Sequence, residues 1–195
     1  MSNKWDNNVK PTFKDTKLTL GIDPGTRNIG VCIIRDGSVL VERRVIQTPR
    51  GMSLESTLAY ILIELEELVD YCHMIHAAAV EGVVWFGKVR KIVLPLSHVA
   101  GALAGFLWAK GIPTYLVPPA MKKLGGRIPL GRKPSEHEKD AAQLARLAYF
   151  AEFASTHFDR RSREAVAKHK ISAPKNVPGR VSNDHGQASN ERGST

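Results

Sequence analysis

The sequence predicts an α/β fold with a mixed central sheet and flanking helices. Three observations carry that reading. Apolar stretches between Leu18 and Thr48 are broken by Pro24-Gly25 and Asp36-Gly37, the punctuation of strands joined by tight turns. A helical stripe then runs through Leu54, Leu58, Ile61, Leu62, Leu65, Leu68 and Val69. Beyond it, short apolar runs alternate with helical stretches. The order βββαβαβα, with helices returning to one sheet, is an α/β arrangement.

Residues 1–16 show no periodicity and are expected to form a mobile arm. Lys17 to Asp23 is the first strand, alternating at Leu18, Leu20 and Ile22. Ile29 to Arg35 is nearly all apolar, as expected of a central strand covered on both faces. Asp36-Gly37 turns the chain, and Ser38 to Thr48 returns as a third strand. Ser53 is a candidate N-cap for the helix over 54–69, whose glutamates lie largely off the apolar stripe.

Ala77 to Glu81 reads as a buried strand ending in an acid. Two parallel strands joined through the helix at 54–69 would set this strand beside the first. A helix is expected between Lys88 and Lys110, with Pro95 kinking it or sitting in its first turn. Gly101, Ala104 and Gly105 would give it a face open to close approach. Ile112 to Val117 is the next strand, closed by Pro118-Pro119. Residues 121–133 hold five basic residues, three glycines and no acid, which suggests a flexible cationic loop. From Pro134 to about His157 the pattern is helical again, with Ala141, Leu144, Ala145, Ala148 and Tyr149 on one side.

These elements fit one domain over 17–158 and a tail over 159–195. From Arg160 onward that tail holds eight Lys/Arg against three acids, is rich in Ser, Asn, Gly and Pro, and is expected to be disordered. The chain of 195 residues carries a net charge of +9, the footprint of a protein that meets polyanions. Cys32 and Cys72 have no CxxC company and read as buried small hydrophobes in a reducing compartment. Met1 to Lys17 has no apolar core of a leader type. The longest apolar run, Ile92 to Trp108, contains Pro95 and His98 and is short for a bilayer. A cytoplasmic chain is expected, with no membrane partner.

Asp23 ends a buried strand just before Pro-Gly-Thr, where an acid has little structural purpose. Glu81 ends another strand. His137 and Asp140 stand at i and i+3 on one helix face. Carboxylates from separated segments are what divalent-metal phosphodiester chemistry requires, hard oxygens holding two Mg²⁺ ions about 4 Å apart. Glu136, four residues before Asp140, competes for the role given to His137. For Glu136 and Glu138 a solvated helix cap is the simpler reading.

GIDPGTRNIG resembles the first motif of the RuvC-type Holliday junction resolvases, with its Asp in a GIDPG turn. AVEGVVWFGK resembles their second, an apolar strand ending in Glu and followed by an aromatic. HEKDAAQLARLAYF resembles their last helix, and the three run in order from about residue 18 to 155. The resemblance implies an RNase H-like fold with Asp23, Glu81, His137 and Asp140 as catalytic and metal-binding residues. It also implies Mg²⁺ with Mn²⁺ as a substitute, a homodimer, and paired symmetric nicks across a four-way DNA junction. Such work places the protein with the nucleoid or in the cytoplasm of an infected host cell. The sequence departs from the family in the short span between Glu81 and Asp140, where the glycine-rich basic loop replaces a helix. The aromatic after Glu81 is also displaced, to Trp85 and Phe86. These departures suit a divergent member of a phage type.

Lys88, Arg90, Lys91, Lys122, Lys123, Arg127, Arg132 and Lys133 are the candidate phosphate contacts flanking the site. Trp85 or Phe86 would stack on an unpaired base at the crossover, or simply pack in the core. The helix between 88 and 110 is the candidate dimer seam. Whether the tail touches DNA or a protein partner stays open.

Three rival readings remain. The opening motif also resembles YqgF-like nucleases of the same fold, which act on RNA. A non-catalytic branched-DNA-binding module would keep the basic surface, although the full set of acids argues against it. Actin-like ATPases and sugar kinases share a DxGT-like turn, but they need two lobes and a longer chain.

Overall fold

The computed structural model describes residues 16–72, 74–83, 90–153, 168 and 170–171, with the side chains of 90–92 left out. A six-stranded sheet runs in the order β3-β2-β1-β4-β5-β6. Its strands are β1 (Leu18–Asp23), β2 (Asn28–Arg35), β3 (Val39–Gln47), β4 (Ile75–Glu81), β5 (Thr114–Val117) and β6 (Lys170–Ile171). The helices are α1 (Leu54–Cys72), α2 (Arg90–Ala109), the single turn α3 (Pro119–Lys122) and α4 (Glu136–Glu152). β1, β2 and β3 form an antiparallel meander, while β4 and β5 run parallel to β1. The mixed sheet with helices on both faces is the expected class, and α1 does carry the chain from the meander to the strand beside β1.

Strand alternation decides what faces what. Leu18, Leu20 and Ile22 of β1, Ile29, Val31 and Ile33 of β2, and Ala78 and Val80 of β4 share one core with α1 and α2. The intervening residues face α4, where Cys32, Ile34, Ala77 and Ala79 meet Ala141, Leu144, Ala145 and Ala148. Gly21 and Gly30 belong to this second face and let α4 lie almost on the sheet. A Cβ on Gly21 would stand 1.9 Å from the Ala141 carbonyl oxygen, and one on Gly30 would stand 2.1 Å from that of His137.

Local signals hold where the sequence shows them. Asp36 and Gly37 both take left-handed φ, 50° and 75°, as a tight hairpin demands. The Ser53 hydroxyl caps α1 by accepting from the Ser56 amide. Ser135 and Glu138 form a reciprocal capping box at the start of α4. Cys32 and Cys72 are buried free thiols, pushed up to about 12 and about 11 by burial. No helix among the described residues is long and apolar enough to cross a membrane.

Three expectations need correction. The basic stretch 121–133 is not a flexible loop. It begins as α3 and a 3-10 turn (123–125), and then crosses α4 as a strap with Leu130 buried against Cys32, Ile34 and Ala141. Arg43 Nη2 donates to the Arg132 carbonyl and Arg146 Nη1 to that of Arg127, which fixes the strap at both ends. On α2 the small residues do not share a face: Ala104 is buried, while Gly101 and Gly105 look into open space. Finally, Lys170–Ile171 lie within the segment assigned to a disordered tail, yet they pair with β5. Lys170 also joins Glu152, the last residue of α4, at 2.7 Å. Apart from Thr16 and Lys168, the arm and the rest of the tail lie outside the described residues.

Candidate metal centre

Asp23 and Glu81 end adjacent parallel strands, in register through Ile22 and Val80. Alternation puts both on the α4 face, two residues beyond Gly21 and Ala79 respectively. A crevice at the carboxyl end of parallel strands is the usual ligand position in such sheets. Because α4 approaches so closely at Gly21 and Gly30, the second turn of α4 brings Asp140 to the same point. One carboxylate oxygen each from Asp23, Glu81 and Asp140 lies within 4.8 Å of the others.

A cation already sits among them. Pro118-Pro119 starts α3, with Pro119 at the first helical position, where a missing N–H costs nothing. That turn carries Lys122 into the centre. Its Nζ donates to Asp140 Oδ2 at 2.5 Å and to Glu81 Oε2 at 2.8 Å, and stands 3.7 Å from Asp23 Oδ1. Lys122 was expected to flank the site; instead it occupies the middle.

His137 joins through Asp23. Its Nδ1 lies 2.6 Å from Asp23 Oδ2, so toward a carboxylate the ring donates from Nδ1. His137 does not share the three-carboxylate cluster. Glu136 is exposed and paired with Lys139, and Glu138 is held by the capping box and Arg43. Neither enters the centre.

Burial pushes the Glu81 carboxyl up, the neighbouring Asp23 carboxyl raises it further, and Lys122 pulls it back, leaving it at about 7. Burial acts to lower the Lys122 ammonium, but Asp140 and Glu81 outweigh it and hold the group above its ordinary range. The ammonium is therefore firmly charged. Three hard oxygen donors around one positive charge fit a divalent cation such as Mg²⁺ or Mn²⁺.

Of the remaining candidates, Lys123, Arg127, Arg132 and Lys133 are exposed, on the turn and strap that follow Lys122. Trp85, Phe86 and Lys88 lie outside the described residues, as do the side chains of Arg90 and Lys91. The reading of the sequence missed the ammonium inside the acid cluster and the packed strap. Ile128 and Leu130, two apolar residues at alternate positions in a basic stretch, were the available signal for the strap.

The sheet order and the carboxylates at its carboxyl end define an RNase H-like α/β protein with an acidic, cation-holding centre. Residues 19–123, more than half of the chain, match the family model described as crossover junction endodeoxyribonuclease RuvC. The chain belongs to this family of nucleases. The match stops before α4, so Asp140 and His137 are placed by geometry rather than by that alignment.

Among solved structures, the chain is similar to Thermus thermophilus RuvC in complex with a Holliday junction substrate. The two are 18% identical with a TM-score of 0.61, over 71% of this chain and 97% of the other. A second Thermus thermophilus RuvC structure matches at 19% identity and a TM-score of 0.58, with the same coverage. At such identities the likeness is one of fold. No curated protein matches the sequence significantly.

Proposed function

We propose that this protein is a structure-selective DNA endonuclease that resolves four-way junctions by paired symmetric nicks. The observation that carries the proposal is the convergence of Asp23, Glu81 and Asp140 on one cation position at the sheet's carboxyl end. Membership of the RuvC family and the likeness to a RuvC bound to a Holliday junction support the choice of substrate.

Asp23, Glu81 and Asp140 would hold the divalent cation, Mg²⁺ with Mn²⁺ as substitute. Metal held there would supply an activated water and charge stabilisation for the leaving oxygen, the chemistry of a two-metal site. His137 fixes the Asp23 carboxylate by its hydrogen bond. Lys122, held beside the same carboxylates, would supply a positive charge near the phosphate. Lys123, Arg127, Arg132 and Lys133 hold the backbone of the strands, with Lys88, Arg90 and Lys91 continuing this surface and Trp85 or Phe86 stacking at the crossover.

Two copies are required to nick two strands symmetrically. α2, with Leu94 exposed and Gly101 and Gly105 open to approach, is the seam proposed for a homodimer. Residues 17–158, together with the Lys170–Ile171 strand that joins their sheet, form the nuclease unit.

The test is cleavage of an end-labelled mobile four-way junction in Mg²⁺, beside plain duplex and a structured RNA. Paired nicks near the crossover, absent in Asp23→Asn, are expected. Cutting of RNA alone would transfer the protein to the YqgF-like reading. Junction binding without cutting in Mg²⁺ or Mn²⁺ would leave a recognition module.

A further inference from the structure

Between α4 and the strap of residues 126–134 lies a cavity of about 520 Å³, within the usual range of about 300–1,000 Å³ for ligand sites. Asp140 is a wall of both this cavity and the carboxylate centre. We propose that the cavity is a nucleobase subsite. It takes one base swung out beside the phosphate at the centre, and Gln143 and Arg127 read that base's edge. The inference rests on the nuclease reading above and deepens it, since it makes cutting depend on sequence.

The lining suits a heterocycle. Ile128, Leu130 and Ala142 offer apolar surface to its face, and Gln143 and Arg127 offer polar groups to its edge. Other charges around the cavity are engaged: Glu136 with Lys139, and Asp140 with Lys122. The side chains of Gln143 and Arg127, by contrast, make no hydrogen bond to any described residue. A Gln amide offers one acceptor and two donors, the set that pairs bidentately with adenine, and Arg pairs with guanine or with phosphate.

The cavity is also preformed. Its outer wall is held by the two arginine hydrogen bonds to the strap and by buried Leu130. Gly125 keeps the start of the strap against α4: a Cβ there would meet the Gln143 carbonyl oxygen at 2.2 Å. A rigid pocket discriminates between bases better than a loop that reshapes around each. At the crossover of a branched duplex, moreover, bases are least stacked, so swinging one out costs least.

The test uses the full chain and a set of mobile junctions whose crossover visits every base at each position near the nick. The readout is the ratio of cutting between sites in one reaction, which a general loss of activity does not move. The wild type is expected to favour one base at a fixed distance from the nick. Gln143→Leu should flatten that preference by about tenfold. Gln143→Glu, close in size and shape, should move the preference away from thymine and toward the bases that carry an exocyclic amine, because a carboxylate only accepts and thymine has none. Unchanged ratios in both variants, or a wild type that cuts junctions without base preference, overturn the subsite and leave the nuclease reading standing. A wild type that cuts no junction overturns the nuclease reading, and the subsite with it.

Discussion

Lys122 Nζ lies 2.5 Å from Asp140 Oδ2, the shortest of its contacts with the three carboxylates. The chain therefore sets one positive charge of its own among three carboxylates. A partly buried acid cluster without a counter-charge would repel itself, and the ammonium lowers that cost.

It follows that Lys122→Met should destabilise the metal-free protein, by about 3 kcal/mol. The same variant should gain more from added Mg²⁺ or Mn²⁺ than the wild type, since no cation competes for the site. Melting curves in chelator and in metal check both parts. An unchanged melting point in chelator would show that the lysine does not hold the cluster together.

Removing a carboxylate should separate cutting from binding. Asp23→Asn, Glu81→Gln and Asp140→Asn are each expected to lower junction cutting by more than about a hundredfold, while junction affinity stays near wild type, because the basic surface is untouched. His137→Ala acts only through the orientation of Asp23 and should cost less, about tenfold to a hundredfold. Single-turnover cleavage beside a gel-shift titration measures the pair of quantities. Loss of binding in all three acid variants would contradict this division of labour.

The raised Glu81 carboxyl fixes the sign of a pH effect. Its folded pKa of about 7 lies above the ordinary 4.5, so in the metal-free protein the folded state keeps a proton that the unfolded chain has lost between these values. Stability from this group is full below pH 4.5 and falls as pH rises through 7. Glu81→Gln should flatten that part of the stability curve in chelator. Metal binding runs the other way: it must displace the Glu81 proton, so affinity should climb with pH up to about 7 and then level. Calorimetric titration with Mn²⁺ at several pH values would show the climb, or its absence.

Gly30→Ala is expected to act on the centre without touching a charge. Its Cβ would fall 2.1 Å from the His137 carbonyl oxygen, so the start of α4 must move off the sheet and carry His137 and Asp140 with it. A stability loss of about 3 kcal/mol and a clear fall in metal affinity should appear together. Gly21→Ala pushes on α4 one turn further along, against Ala141 and Ala145, and should do the same. Full metal affinity in a folded Gly30→Ala protein would show that the close approach does not set the site.

Much of this was legible before the fold was known. Period-two alternation shows Leu18, Leu20 and Ile22 on one face, which leaves Asp23 on the other. The same parity in AAAVE puts Glu81 beside it, once α1 is seen to make the strands parallel. Asp140 follows from a helical stripe through Ala141, Leu144 and Ala145. What the chain hides is tertiary. Nothing near Lys122 distinguishes it from Lys123; only the turn after Pro118-Pro119 aims one ammonium at the acids and leaves the other in solvent. The strap was masked by its own composition, because glycines and basic residues dominate it and one buried leucine anchors it. The pairing of Lys170–Ile171 with β5 rests on two residues, too few to leave a periodic signal.

The central claim, that Asp23, Glu81 and Asp140 form a divalent-cation site now filled by Lys122, is tested most directly by locating Mn²⁺ in crystals through its anomalous scattering. The account predicts a peak about 2 Å from carboxylate oxygens of all three residues, with the Lys122 ammonium displaced from between them. Lys122 still seated among the three acids, with no manganese peak there in protein that cuts DNA, would contradict it.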